Sequence, residues 1–141
     1  MATHTTRTTV HNPGSRLLRL ALRGDGIFEC ITGLALIVGA GPISQFLGLN
    51  APTTFIILFV LGIVLLLSAF ALFWIAAQEP INQGAALAYS AVNGVWAIGS
   101  LITLLAGWLL FSVEGKWAMA LLAAIVALFA ELQVQGVWRL R

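Results

Sequence analysis

The chain has 141 residues, of which 60% are hydrophobic and only 9% charged, with a formal net charge of +2. A soluble domain carries about 25% charged residues, so there is too little polar surface here for a globule in water, and the mean hydropathy of +1.01 points to a bilayer as solvent. The small positive balance sits near span ends, which argues for membrane orientation and against nucleic-acid binding.

The leading tail, residues 1–15, is polar and Thr-rich, and ends in Asn-Pro-Gly-Ser. It reads as flexible or surface-bound. The apolar segment after it is longer than the h-region of a cleaved signal peptide. Ser15 is a candidate N-cap for the helix that follows. Residues 16–141 form one transmembrane domain.

The first span covers about 17–40, with "RLLRLALR" as an amphipathic foot and "GIFECITGLALIVGA" as its buried part. Gly41-Pro42 is expected to break it. "ISQFLGL" (43–49) is too short to cross a bilayer and is expected along the interface. The second span, about 53–77, is nearly pure hydrocarbon, and Pro52 is tolerated in its first turn. "QEPINQG" makes a short turn. The third and fourth spans cover about 85–107 and 117–138. Each span has about 20 residues or more, enough for a hydrocarbon core of about 30 Å. The fold class is therefore all-α: four antiparallel transmembrane helices in a bundle, with consecutive spans as neighbours.

Arg7, Arg16, Arg19, Arg23, Arg139 and Arg141 lie on the side of both termini, against Lys116 alone on the other. The excess of basic residues places both termini in the cytoplasm of a bacterial inner membrane. Trp74 and Trp138 mark the inner interface, and Trp108 and Trp117 the outer one. Trp96 lies mid-span, where it reads as core packing.

Small and polar residues on one helix face are what a membrane helix shows its partners. On the first span Asp25, Glu29, Gly33, Leu36 and Ala40 share a face. On the third, Tyr89, Asn93, Trp96, Ser100, Thr103 and Gly107 do, and Ser90 with Gly94 adds a small pair. On the fourth the stripe is Ala120, Ala124, Ala127 and Glu131. The second span offers only Gly62 and Ser68, so most of it is expected to face lipid.

Asp25, Glu29, Asn93 and Glu131 fall at similar depth and form one expected polar focus, with Arg23 beside it. An ionised carboxylate in hydrocarbon costs at least about 2.5 kcal/mol, so each must be paired, protonated or hydrated. Asp25 reads as an interface residue paired with Arg19, Arg23 or a neighbouring helix. Glu29 is either a hydrogen-bonded strut or a ligand, proton or ion site. Glu131 has the same two readings, with Arg23 a candidate partner. Asn93 reads as interhelical glue, and Tyr89 sits near the inner boundary.

Other chemistry is thinly supported. The lone Cys30 reads as buried apolar filler. His4 and His11 both lie in the tail, so neither can serve a membrane Ser or anchor a metal within the spans. No phosphate loop or cofactor motif appears, and no metal or cofactor is expected. Arg-Gly-Asp at 23–25 lies where a helix enters the membrane and is not an adhesion motif.

The stretches "RLLRLALRGDGIFECITGLALIVGAGPISQFLGL", "VNGVWAIGSLITLLAGW" and "LFAELQVQGVWRLR" resemble a group of small bacterial integral membrane proteins with four spans. The layout of one span, an interfacial segment and three more spans is also similar to DoxX-like four-helix membrane proteins. The resemblance implies a four-span fold and adds no chemistry. Two functions are expected. The first is a non-enzymatic accessory or interaction subunit, with the bilayer and either a membrane-protein partner or a second copy as its expected contacts. The alternative is a binding or transport protein for a proton, a cation or a small polar or amphipathic molecule at Glu29, Asn93 and Glu131.

Overall fold

The computed structural model describes residues 13–141. Expectations for Arg7, His4, His11 and the first part of the tail lie outside the described residues. The described chain consists of α1 (Pro13–Phe46), α2 (Pro52–Ala77), α3 (Gln83–Ala106) and α4 (Val113–Trp138). All four helices are long and apolar enough to cross a membrane. Gly14 lies against the Arg139 backbone, so α1 begins where α4 ends.

The helix ends follow local chemistry, with some departures from the expected boundaries. Ser15 lies inside α1 and does not precede it. The expected break at Gly41-Pro42 is a bend: Gly39 leaves helical geometry (φ −107°, ψ 15°) and the helix resumes through Phe46. Pro42 explains the bend, because it has no N–H for the preceding turn and its ring crowds the Val38 carbonyl. Half of the expected interfacial segment is therefore helix. That helix ends in a Schellman turn, in which Leu49 N–H donates to Ser44 O, Gly48 N–H donates to Gln45 O, and Gly48 takes φ 77°. Asn82 caps α3 and Ser112 caps α4, each accepting from the backbone N–H three residues on. Ser112 also donates through Oγ to Phe46 O at 2.6 Å and through its N–H to Leu47 O at 2.9 Å, tying the start of α4 to the end of α1.

The bundle is held along three seams. α1 packs along α2 and along α4, and α4 packs along α3; α2 and α3 have no comparable pairing. Consecutive spans are thus not always neighbours, and α1 with α4 replaces α2 with α3. Glycine sets two of the seams. A Cβ on Gly62 would stand 2.7 Å from Gly33 O, and a Cβ on Gly136 would stand 2.9 Å from Leu18 Cα. Such backbone approach is how membrane helices gain contact when lipid offers no hydrophobic driving force between them. α2 meets α3 at the termini end, where Leu72, Ile75 and Ala76 share an apolar cluster with Ala86.

Two apolar clusters bracket a polar layer. At the termini end Leu18, Leu22, Leu72, Ile75, Ala76, Ile81, Ala86 and Val137 pack together. Toward the other end Leu36, Ala40 and Leu58 pack with Ile43, Leu47, Leu61 and Leu65. Between them lie the buried polar side chains Asp25, Glu29, Ser90, Asn93 and Gln133. Outside, Trp74, Trp108, Trp117 and Trp138 are exposed near helix ends.

Candidate functional site

The polar layer is built from α1. Asp25 and Glu29 are one turn apart on the face that continues through Gly33, Leu36 and Ala40, and this whole stripe is buried as its spacing requires. Asp25 is 0% exposed. Its Oδ2 accepts from Asn93 Nδ2 of α3 at 2.6 Å and from Gln133 Nε2 of α4 at 2.8 Å. Glu29 Oε2 accepts from the Tyr89 hydroxyl of α3 at 3.3 Å, and Ser68 of α2 faces the same carboxylate. Two carboxylates on one helix thus bind side chains of α3 and α4 and face α2. Beside them Ser90 Oγ donates to Ala130 O at 2.8 Å, a buried contact that fastens α3 to α4.

Several sequence expectations are corrected here. Of the partners expected for Asp25, the neighbouring helices are the ones it meets; it is fully buried and not paired with Arg19 or Arg23. Arg19 instead donates to the Ala76 and Gln78 carbonyls at 2.6 and 2.9 Å and to Glu79 Oε1 at 3.3 Å. It thereby satisfies the carbonyls left open at the end of α2. Arg23 is exposed. The only ion pair among the described residues is Arg19–Glu79. Glu131 does not join the focus or meet Arg23: it is exposed, and its carboxylate accepts from Gln135 Nε2 on its own helix. The buried stripe of α4 runs through Ala123, Val126, Ala130, Gln133 and Val137, about a third of a turn from the alanines expected there. Trp96 is 37% exposed and is not closed core, and Cys30 is only half-buried.

Gln133 is the central residue that sequence reasoning passed over. Its signal was available: it shares a face with Ala130 and Val137, and Gly136 beside it marks the close approach to α1. The stronger charge of Glu131 drew the assignment to the wrong face.

Beyond the polar layer, on the side away from the termini, all four helices enclose a cavity of about 480 Å³. Its walls are almost wholly apolar and include Leu36, Leu61, Val92, Trp96, Met119 and Leu122. Glu29 and Asn93 supply polar groups at the end nearest the polar layer, and Thr32 adds a hydroxyl. Ligand pockets generally fall at about 300–1,000 Å³, with apolar walls and a few placed polar groups. The missing α2–α3 packing leaves that seam as the least closed side. Val64 of α2 and Val92 of α3 both line the cavity and are exposed.

Among the described residues no group of three or more His, Cys, Asp or Glu is placed to hold a metal ion. No family model, characterised protein or solved structure matches the chain.

Proposed function

We propose that the protein binds a small amphipathic molecule inside the membrane, with the apolar body in the cavity and a hydrogen-bonding head group at Glu29 and Asn93. The observation that carries this reading is the position of those two residues on an apolar cavity of about 480 Å³ shared by all four helices. A carboxylate that served only as a strut would be packed on all sides. Glu29 instead keeps one side on open space, with the Tyr89 hydroxyl holding the other. A carboxylate accepts hydrogen bonds, so the head group that suits it is a donor: an amine, a hydroxyl or a phenol. The α2–α3 seam gives such a molecule a route from the lipid.

The expected accessory-subunit role has less support. Exposed apolar side chains such as Val38, Phe70, Val95 and Leu121 are spread over all four helices, the distribution that lipid contact demands. We also propose an orientation with both termini in the cytoplasm of a bacterial inner membrane, on the basic residues near the chain ends. A reporter fused after Arg141 is expected to be active only as a cytoplasmic one.

Thermal shift in detergent micelles tests the binding reading, with a panel of apolar amines, alcohols and phenols and with the matching alkanes. Donor-bearing compounds should stabilise the wild type. Glu29→Gln should weaken that preference, and Ala118→Phe, which fills the cavity wall, should abolish binding. Equal response to alkanes and amines, or unchanged binding in Ala118→Phe, would sink the reading.

A further inference from the structure

We propose that Asp25 carries a proton on Oδ1 and shares it with Oε1 of Gln133, so that the two side chains form a neutral acid–amide pair at the centre of the bundle. The inference goes beyond the ligand cavity and does not depend on it.

An ionised carboxylate can only accept, and an amide both donates and accepts. Both N–H bonds to Asp25 fall on Oδ2, from Asn93 and from Gln133. Among the described residues Asp25 Oδ1 and Gln133 Oε1 find no hydrogen-bond partner, and both atoms are sealed from solvent. Each buried acceptor without a donor costs about 1–3 kcal/mol. Neighbouring hydroxyl donors are committed elsewhere: Tyr89 to Glu29 and Ser90 to Ala130 O. Both residues are 0% exposed, so bulk water does not reach them.

Charge points the same way. On α1 the facing titratable group is Glu29, another acid, while Arg19 is bound to the end of α2 and Arg23 is exposed. From α3 the facing group is Tyr89. α2 presents the uncharged Ser68 and α4 presents Gln133, with Glu131 turned outward. Among the described residues no cation neutralises Asp25.

One proton removes the charge and both defects together. On Oδ1 it turns an acceptor without a donor into a donor, and Gln133 Oε1 is the acceptor that lacks one. A carboxylic acid and a primary amide have complementary edges, able to form one N–H···O and one O–H···O bond side by side. The N–H···O bond is present at 2.8 Å. A divalent metal ion in place of the proton would need about six or more oxygens, and two are unpartnered here.

Infrared absorption of the full chain in lipid nanodiscs at neutral pH tests the proposal, in H2O and D2O. A carbonyl band of a protonated carboxylic acid is expected, shifted by deuteration. It should vanish in Asp25→Asn, persist in Glu29→Gln and move in Gln133→Leu. Asp25→Asn should also keep the wild-type thermal midpoint, because its amide N–H replaces the acid O–H, whereas Asp25→Ala should lower it. Absence of the band, or its survival in Asp25→Asn, overturns the proposal. So does an Asp25→Asn chain that fails to fold. A wild-type midpoint raised by Na+ or K+ and lost in Asp25→Asn would assign the site to a metal cation and overturn it equally.

Discussion

Gly62→Ala is a sharp test of how the bundle is held. The new Cβ would stand 2.7 Å from Gly33 O, 2.8 Å from Ile37 Cγ1 and 3.1 Å from Ile37 N. Two of these atoms are backbone, so no rotamer change relieves the contact. Restoring an ordinary separation of about 3.4 Å requires α1 and α2 to part by about 0.7 Å. A gap of about 0.5–1 Å forfeits roughly a quarter to a half of each dispersion contact, and the crossing carries Ile37, Leu65 and Leu66 as well as the glycines. Overpacking of this kind costs about 1–3 kcal/mol. Alanine's helix preference over glycine returns about 0.5–1 kcal/mol, for a net loss of about 1–2 kcal/mol. Gly94 is the control, because nothing lies within 4 Å of its Cβ position; Gly94→Ala should gain the helix term alone. Reversible unfolding in mixed micelles of increasing SDS fraction measures both. A Gly62→Ala chain as stable as wild type would refute the close crossing and the α1–α2 seam built on it.

Other perturbations separate the remaining contacts. Arg19→Ala should lower stability by about 1–2 kcal/mol by freeing the Ala76 and Gln78 carbonyls at the end of α2. Glu79→Gln should change it little, since the Glu79 side chain is 84% exposed; both are read by the same unfolding assay. Ser90→Ala removes a buried interhelical bond to Ala130 O, and membrane hydrogen bonds of this kind average about 0.6 kcal/mol. It should therefore cost less than Gly62→Ala. Gln135→Ala, which removes only a contact within α4 to Glu131, should leave midpoint and ligand response unchanged.

What could be read in the sequence depended on how much each side chain says about direction. Span number and approximate limits were legible because long apolar runs have few other uses. The inner face of α1 was legible because Asp25 and Glu29 can face only inward at that depth, and Gly33 and Ala40 continue the same stripe. The inner face of α4 was not, because Ala120, Ala123, Ala124, Ala127 and Ala130 mark several faces alike and Glu131 outranks Gln133 on charge alone. Pro42 was visible as a disturbance. Whether it ended or bent α1 was decided by Gly39 and by the later tie between Ser112 and Phe46, a contact across the chain. The α1–α4 seam was hidden for the same reason: connection lengths speak for consecutive helices, whereas Gly136 against Leu18 is a long-range fit. The cavity was least legible, since it is an unfilled space set by small side chains such as Ala35 and Ala118 among larger ones.

Asp25 and Glu29 therefore differ in kind although they share a face and a charge type. Asp25 is fully buried and is bound by amides of both α3 and α4. Both amides are fixed on other helices, so removing Asp25 leaves Asn93 and Gln133 without their acceptor. Asp25→Leu should fold poorly or lose about 2–4 kcal/mol, because buried donors without partners cost about 1–3 kcal/mol each. Glu29 stands one turn further in, where α2 and α3 do not close on each other and the layer opens into the cavity. The Tyr89 hydroxyl, which bonds Glu29, can bond an amide oxygen as readily as a carboxylate. Glu29→Gln should then keep the fold within about 1 kcal/mol while losing its response to amines. An unfolding titration and a ligand titration on the same two variants separate the roles. If Glu29→Gln lost stability as Asp25→Leu does, Glu29 would be a strut like its neighbour, and the cavity would have no polar reader of its own on α1.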